Sequence, residues 1–281
     1  MKALANLARD VAAQFKRRGD LLKRLACVLG YWAVYTAGRL RGMTRVDARL
    51  SALDVLADLG STQRTATVRW DGFTAEFDVF SACFLTIEIL DDGVYRRPGF
   101  QPHPGGTVLD VGAHQGLFSL QAARAVGPSG RVLAIEPFPY NRALLERNLA
   151  ANGLTWVSVV AAAADEREGE SGLNVARRVT GGQSLVFASD AGASVPVKTV
   201  TLDELLASRG IKAVDLLKID VEGAWRRVFA GATKLLASRP RIVMEVEGGD
   251  AELEAAAVRL RELGYTTECA GSMVYALPRG K

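Results

Sequence analysis

Histidine and cysteine are scarce in this chain of 281 residues. Its two histidines, His103 and His114, exclude a His-rich metal centre. The cysteines, Cys27, Cys83 and Cys269, are far apart and form no Cys-x-x-Cys, so neither a disulfide framework nor a zinc finger is indicated. No internal repeat is visible, which argues against a solenoid or propeller. In the apolar N-terminal stretch the uncharged part runs only from Leu25 to Gly38, short of the roughly 20 residues needed to span a bilayer. The basic portion before it is too long for a signal peptide and no convincing small-x-small cleavage site follows, so none is expected. Gly-x-Gly-x-x-Gly is missing as well. What is present is apolar mass: 49% hydrophobic residues against 23% charged, enough for a sizeable core and too much for a disordered chain.

The net charge of +4 is unevenly placed. Residues 1–50 hold eleven Lys/Arg and three Asp, while the rest of the chain is net acidic. Basicity confined to an arm does not describe a nucleic-acid-binding domain, whose charge would spread further. In the arm, Leu4, Leu7, Val11 and Phe15 recur at helical spacing, and Asp20 stands where it would cap a second helix over 21–37. Such a segment either packs as a helical pair, on the main domain or on a second subunit, or lies on an anionic membrane surface. The expected location is cytoplasmic; peripheral membrane contact through residues 1–45 and homo-oligomerisation are left open.

Three regions follow: a basic helical arm over 1–60, a hairpin and connector over 61–106, and an α/β domain over 107–281. The arm includes a short helix expected over 46–59. Thr65–Trp70 and Phe73–Val79 flank Asp71-Gly72, a strong two-residue turn signal. The connector, rich in Pro and Gly, is irregular. From Thr107 short apolar strands alternate with helices: strands at 107–111, 131–136, 156–160, 214–219 and 241–246, helices at 117–126, 140–152, 224–238 and 251–263, and two closing strands near 265–269 and 272–277. The segment 171–199 adds a short hairpin turning at Gly181-Gly182. This alternation implies a parallel, doubly wound sheet covered on both faces.

Ligands bind such sheets beyond the carboxyl ends of the strands. Those ends carry Asp110-Val111-Gly112-Ala113-His114-Gln115-Gly116, then Glu136-Pro137, Asp220-Val221-Glu222-Gly223 and Glu245-Val246-Glu247. Gly112 and Gly116 allow a tight turn, and the helix after Gly116 offers unpaired N–H groups to an anion. Without the middle glycine a pyrophosphate is not expected there. A single carboxylate with an ammonium fits better, with Asp110 supplying negative charge near the cation. Glu136, twenty residues past Gly116, stands where a carboxylate can accept both hydroxyls of a ribose. A nucleoside with an amino-acid tail answers both loops, and S-adenosylmethionine is that molecule. By itself the Gly-x-x-x-Gly turn also serves in many α/β folds merely to bring helix and strand together.

The blocks Val108–Gly116, Ile135-Glu136-Pro137, Asn148–Leu154, Gly181–Leu185, Val200–Leu205 and, most specifically, Val214–Gly223 resemble the FkbM-type S-adenosylmethionine-dependent methyltransferases. The resemblance spans about Thr107 to Glu247 and excludes the arm and hairpin. It departs mildly at His114-Gln115, where the family often has Asn followed by an apolar residue. It implies a class I methyltransferase (Rossmann-like) fold, seven strands with the last antiparallel. It implies that Asp110, Gly112, Ala113, His114 and Gly116 line the methionine side, that Glu136 with Pro137 holds the ribose, that Ala162 and Ala163 border adenine, and that Asp220 faces the sulfonium and acceptor. O-methylation of a hydroxyl on a sugar, glycolipid or natural product is the first expectation.

A hydroxyl acceptor must lose its proton as the new bond forms. Asp220, Glu222, His114 and Glu245 are the base candidates, with Asp220 first by position. Asp220 has an alternative role as a partner of Lys218 or a cap at Ala224, and Lys218 one as an edge-of-sheet ion pair. Asp220, Glu222, Glu245 and Glu247 together could gather a divalent cation, but ordinary polar strand ends are favoured because no dedicated ligand spacing is present. Asp165 falls in a mixed-charge loop expected to be solvated, near the adenine border. A nicotinamide-dependent oxidoreductase and an inactive membrane-associated binding protein on the same fold are the competing functions.

Overall fold

A computed structural model describes residues 32–34, 36–42, 65–78, 81, 93–175, 183–186 and 194–280. The arm helix around 4–15, the start of the one expected over 21–37, the short helix at 46–59 and the Gly181-Gly182 turn lie outside them. Residues 32–34 and 36–40 are helical. The chain divides into two units, 1–92 with 178–180, and 93–177 with 181–281.

In the first unit β1 (Thr65–Trp70) pairs antiparallel with β2 (Phe73–Asp78), Trp70 opposite Phe73. Asp71 (φ 43°) and Gly72 (φ 83°) are both left-handed, the geometry a two-residue turn needs to match strand twist. Trp70 packs against Phe73 and Phe77, with ring centroids 5.3 and 6.2 Å away.

The second unit is built on β3 (Thr107–Val111), β4 (Arg131–Ile135), β5 (Val157–Val160), β9 (Leu216–Ile219), β10 (Arg241–Glu245), β11 (Tyr265–Ala270) and β12 (Met273–Pro278), in the order β11-β12-β10-β9-β3-β4-β5. Strands β5, β4, β3, β9 and β10 run parallel, and β12 runs antiparallel to both of its neighbours. Strand order therefore reverses at β3, where the chain leaves toward β4 on one side and β9 on the other. Helices α1 (Leu117–Val126) and α2 (Pro139–Ala151) follow β3 and β4. Leu109, Val111, Leu133, Ile135, Leu217, Ile219, Ile242 and Met244 form the main core with α3 (Leu202–Ser208), α4 (Trp225–Ala230), α5 (Thr233–Ala237) and α6 (Asp250–Glu262).

Several features depart from the sequence pattern. One helix is expected over 224–238, yet the chain forms α4 and α5 with a break at Gly231. A Cβ on Gly231 would come 2.0 Å from the Asp165 carbonyl oxygen, and the Gly231 carbonyl accepts from Asp203 N at 3.1 Å. The close crossing of two backbones interrupts the helix there. Helix α3 was not anticipated; Thr201 caps it by accepting from Glu204 N at 3.2 Å. A small sheet of order β6-β8-β7, from β6 (Ala163–Ala164), β7 (Gly169–Asn174) and β8 (Ser194–Val200), supplies the added hairpin. Residues 93–106 have no regular structure but pack within the second unit. Phe100 meets Tyr275 edge-on at 5.4 Å, Tyr275 Oη donates to the Val94 carbonyl at 2.7 Å, and Arg241 Nη1 donates to the carbonyls of Gly99 and Gln101, each at 2.9 Å.

Candidate active site

The crevice forms where β3, β4 and β9 end. The segment from Gly112 to Gly116 turns sharply between β3 and α1, with left-handed backbone at Gly112 (φ 79°), His114 (φ 52°) and Gly116 (φ 93°). At Gly112 glycine is obligatory: a Cβ would lie 1.7 Å from the Asp220 carbonyl oxygen. At Gly116 a Cβ would meet Leu145 Cδ1 at 2.4 Å. His114 occupies a left-handed position that Asn, Asp and His tolerate best, so the departure from the family's frequent Asn keeps the loop geometry. Gly112 N and Ala113 N both donate to the Ile135 carbonyl at 3.0 Å, which ties the loop to β4.

Glu136 is 5% exposed. Its Oε2 accepts from His114 N and its Oε1 from Phe138 N, each at 2.8 Å, so it joins the glycine loop to the start of α2. Burial pushes its carboxyl up to about 7, against the opposing effect of those two N–H groups. Each oxygen keeps a further lone pair for a hydroxyl donor. Pro137 follows, half-buried.

Strand register sets Asp110 beside Lys218 on neighbouring parallel strands. Asp110 is fully buried; Ser119 Oγ donates to its Oδ2 at 2.6 Å, and Lys218 Nζ lies 3.2 Å from its Oδ1. Lys218 Nζ also donates to the Gly112 carbonyl at 2.6 Å and lies 3.3 Å from Asp220 Oδ2. Burial opposes the ammonium charge, but the adjacent Asp110 and Asp220 outweigh it and hold the lysine above its usual range. The charge of Asp110 is thus committed inside the fold. Lys218 is more than an edge-of-sheet ion pair: it anchors both strand ends.

Asp220 is the open member of this group, its side chain 27% exposed. Tyr95 Oη lies 3.5 Å from the same Oδ2 that faces Lys218, with the tyrosine ring packed edge-on against Phe118 at 5.1 Å. Among the described residues Oδ1 has no hydrogen-bonding partner. Asp220, Glu222 and Glu247 offer carboxylate oxygens within 4.8 Å of one another. Glu245, the fourth acid weighed for a cation, instead accepts from Ser272 Oγ at 3.0 Å. Glu247 Oε2 accepts from Gly223 N at 2.8 Å; burial, then the charge of Asp220, pushes its carboxyl up to about 7. Glu222 is itself left-handed (φ 48°), a conformation costing a non-glycine residue about 1–3 kcal/mol.

Past β5, Ala162 belongs to the main core, and Ala163 packs with Leu173 and Val197 of the small sheet. Their side chains are spent on packing, so at this border the backbone is what remains for a ligand. Asp165 corrects the expectation of a solvated loop: it is 3% exposed, and Arg227 grips it through Nε to Oδ1 at 2.7 Å and Nη2 to Oδ2 at 2.5 Å. Tyr95 carries no sequence signal in its irregular segment, whereas Lys218 does carry one. A lysine inside the apolar run Leu216-Leu217-Lys218-Ile219 of a buried parallel strand requires carboxylate partners, and that was the available sign.

A doubly wound sheet with this strand order, a glycine turn at the switch point and an acid closing the next strand defines a class I methyltransferase domain. Residues 110–267 match the model of the methyltransferase FkbM domain. The chain is 33% identical over 223 residues to the 31-O-demethyl-FK506 methyltransferase FkbM of Streptomyces tacrolimicus, covering 68% of this chain and 85% of that one. It is 28% identical to methyltransferase sdnD of Sordaria araneosa, covering 53% and 68%. Among solved structures it is similar to methyltransferase FkbM of Methylobacillus flagellatus KT, at 17% identity and a TM-score of 0.47, covering 65% of this chain but only 46% of that one. The chain belongs to the FkbM family of S-adenosylmethionine-dependent methyltransferases. Neither the oxidoreductase nor the inactive binding protein gains support from these matches.

The donor set fits that cofactor. A buried carboxylate with free lone pairs suits two ribose hydroxyls, and the α1 N-terminus beside Gly116 suits a carboxylate. Glycine at 112 keeps the loop close to the β9 end.

Proposed function

We propose that the protein O-methylates an alcohol, on a sugar, glycolipid or natural product, with Asp220 accepting the hydroxyl proton. S-adenosylmethionine, when bound, supplies a methyl group already activated by a cationic sulfur, so the protein's work is alignment and proton removal. Glu136 holds the ribose, the 112–116 loop and the start of α1 hold the amino-acid end, and the backbone near Ala162 and Ala163 borders the base. The observation that carries the reading is the asymmetry of Asp220. Lys218 and Tyr95 address Oδ2, which fixes the carboxylate and leaves Oδ1 to the acceptor. The relative from S. tacrolimicus, whose name specifies a 31-O-demethyl substrate, supports oxygen as the acceptor atom.

The test is methyl transfer from labelled S-adenosylmethionine to a panel of methyl glycosides and secondary alcohols, with a thiol and an amine as controls. An O-methyl product identified by NMR is expected, with turnover reduced at least about a hundredfold in Asp220→Asn. Products methylated only at sulfur or nitrogen, or full turnover in that variant, would refute it.

A further inference from the structure

The peptide group between Glu222 and Gly223 is held at both of its polar ends by side chains from elsewhere. Its carbonyl accepts from Ser184 Oγ at 2.6 Å, and its N–H donates to Glu247 Oε2 at 2.8 Å. Both flanking residues are left-handed, Glu222 at φ 48° and Gly223 at φ 84°. A turn of this kind can relax by rotating that peptide plane, and such a rotation would break both bonds at once. It lies two residues past Asp220, immediately before α4.

Ser184 is built for this contact. It is 2% exposed, and its hydroxyl also accepts from Val186 N at 3.0 Å, which directs its proton toward Glu222. Its backbone exchanges two hydrogen bonds with Asn174 at the end of β7, at 2.9 and 3.1 Å. Arg227 Nη1, whose other nitrogens grip Asp165, lies 3.5 Å from the next carbonyl, that of Leu185. The reach of the hydroxyl is therefore set by the small sheet and by α4 together.

We propose that Ser184 is a positioning residue for methyl transfer: by fixing the Glu222–Gly223 peptide plane it sets the direction in which Asp220 presents its free oxygen to the acceptor. The inference rests on Asp220 acting as the base. It assigns a role to Ser184, within a block of the family pattern that the cofactor loops do not explain, through its contact with the acid-bearing turn.

The experiment compares the full-length wild type with Ser184→Ala, Ser184→Thr and Ser184→Cys. S-adenosylmethionine affinity is measured by titration calorimetry. The kcat and KM are measured with whichever methyl glycoside or secondary alcohol of the panel is turned over by the wild type. Loss of the donor should lower kcat roughly 10- to 100-fold in Ser184→Ala, the scale of a small misplacement at a reacting centre, while cofactor affinity and acceptor KM stay within about twofold. Ser184→Thr should recover most of the rate; if the added methyl prevents folding, Ser184→Cys should recover part of it through its weaker donor. An Ala variant that melts earlier but keeps its kcat below its melting temperature overturns the inference. So does one whose cofactor affinity falls along with its rate, or an equal loss of rate in every foldable variant. Wild type that binds no S-adenosylmethionine, or makes no O-methyl product, refutes the underlying function instead.

Discussion

Lys218 reaches across from β9 to the Asp110 carboxylate of β3 at 3.2 Å, with side-chain exposures of only 4% and 0%. The pair closes the carboxyl ends of the two central strands, and its position follows from their register. In a buried pair of this kind, desolvation offsets much of the Coulombic attraction, so its net stabilisation is modest while its rupture is expensive.

Replacing only Lys218 should therefore be severe. Lys218→Met leaves Asp110 charged and buried and is expected to cost about 3–5 kcal/mol, measured by urea unfolding. Lys218→Met with Asp110→Asn should regain a large part of that loss. A single variant as stable as wild type would show that the two groups do not sense each other.

Cofactor binding should be linked to the protonation of Glu136. Its carboxyl titrates near 7 because it is buried, whereas ribose hydroxyls donate best to the ionised form. Affinity for S-adenosylmethionine should rise as pH increases from roughly 6 to 8, with proton release on binding seen as a buffer-dependent calorimetric heat. Glu247 titrates in the same window, so Glu136→Gln separates the two: it should bind much more weakly and lose most of the pH dependence.

Stability of the ligand-free protein should follow the opposite trend. Glu136 and Glu247 both have carboxyls raised from 4.5 to about 7, so across that interval the folded state holds more protons than the unfolded one. Their contribution is fully present below about 4.5 and is lost as pH rises through about 7. Denaturant midpoints measured over this range should show a smaller decline in Glu247→Gln than in wild type.

Gly112→Ala should fail structurally before it fails chemically. The added methyl has backbone oxygen at 1.7 Å and a φ of 79° to contend with, and no flexible side chain can move aside. We expect a loss of more than about 2 kcal/mol and no measurable cofactor binding. Gly153→Ala is the control: its φ of 65° is also positive, but nothing lies within 4 Å of the added atom, so it reports the cost of a positive φ without a steric clash.

Most of the fold was legible because its signals are local. Aliphatic runs bounded by glycine and proline gave β3, β4, β9 and β10 to within two residues, and α1 fell at Leu117–Val126 as expected. Asp71-Gly72 announced its hairpin because few residue pairs tolerate two left-handed positions in succession. The glycine loop and Glu136 stand out in the sequence because both fall at strand ends, where the chain has stopped pairing and polar groups can face a ligand.

The remainder was settled by contacts between segments distant in sequence. No local pattern foretells that Arg227 of α4 will neutralise Asp165, that Gly231 must yield to the Asp165 carbonyl, or that Ser184 will hold the carbonyl of Glu222. Burial has the same character: Glu136 and Glu247 are ordinary glutamates until the fold removes water from them. By itself the sequence determined the alternation of strands and helices, the glycine loop and acidic strand ends, and the family. Tertiary structure alone decided which carboxyls burial pushes up, which are spent on Lys218 or Arg227, and that among the described residues Asp220 keeps one oxygen free. Periodicity and turn chemistry are properties of neighbouring residues, whereas register, desolvation and charge pairing exist only once the strands lie side by side.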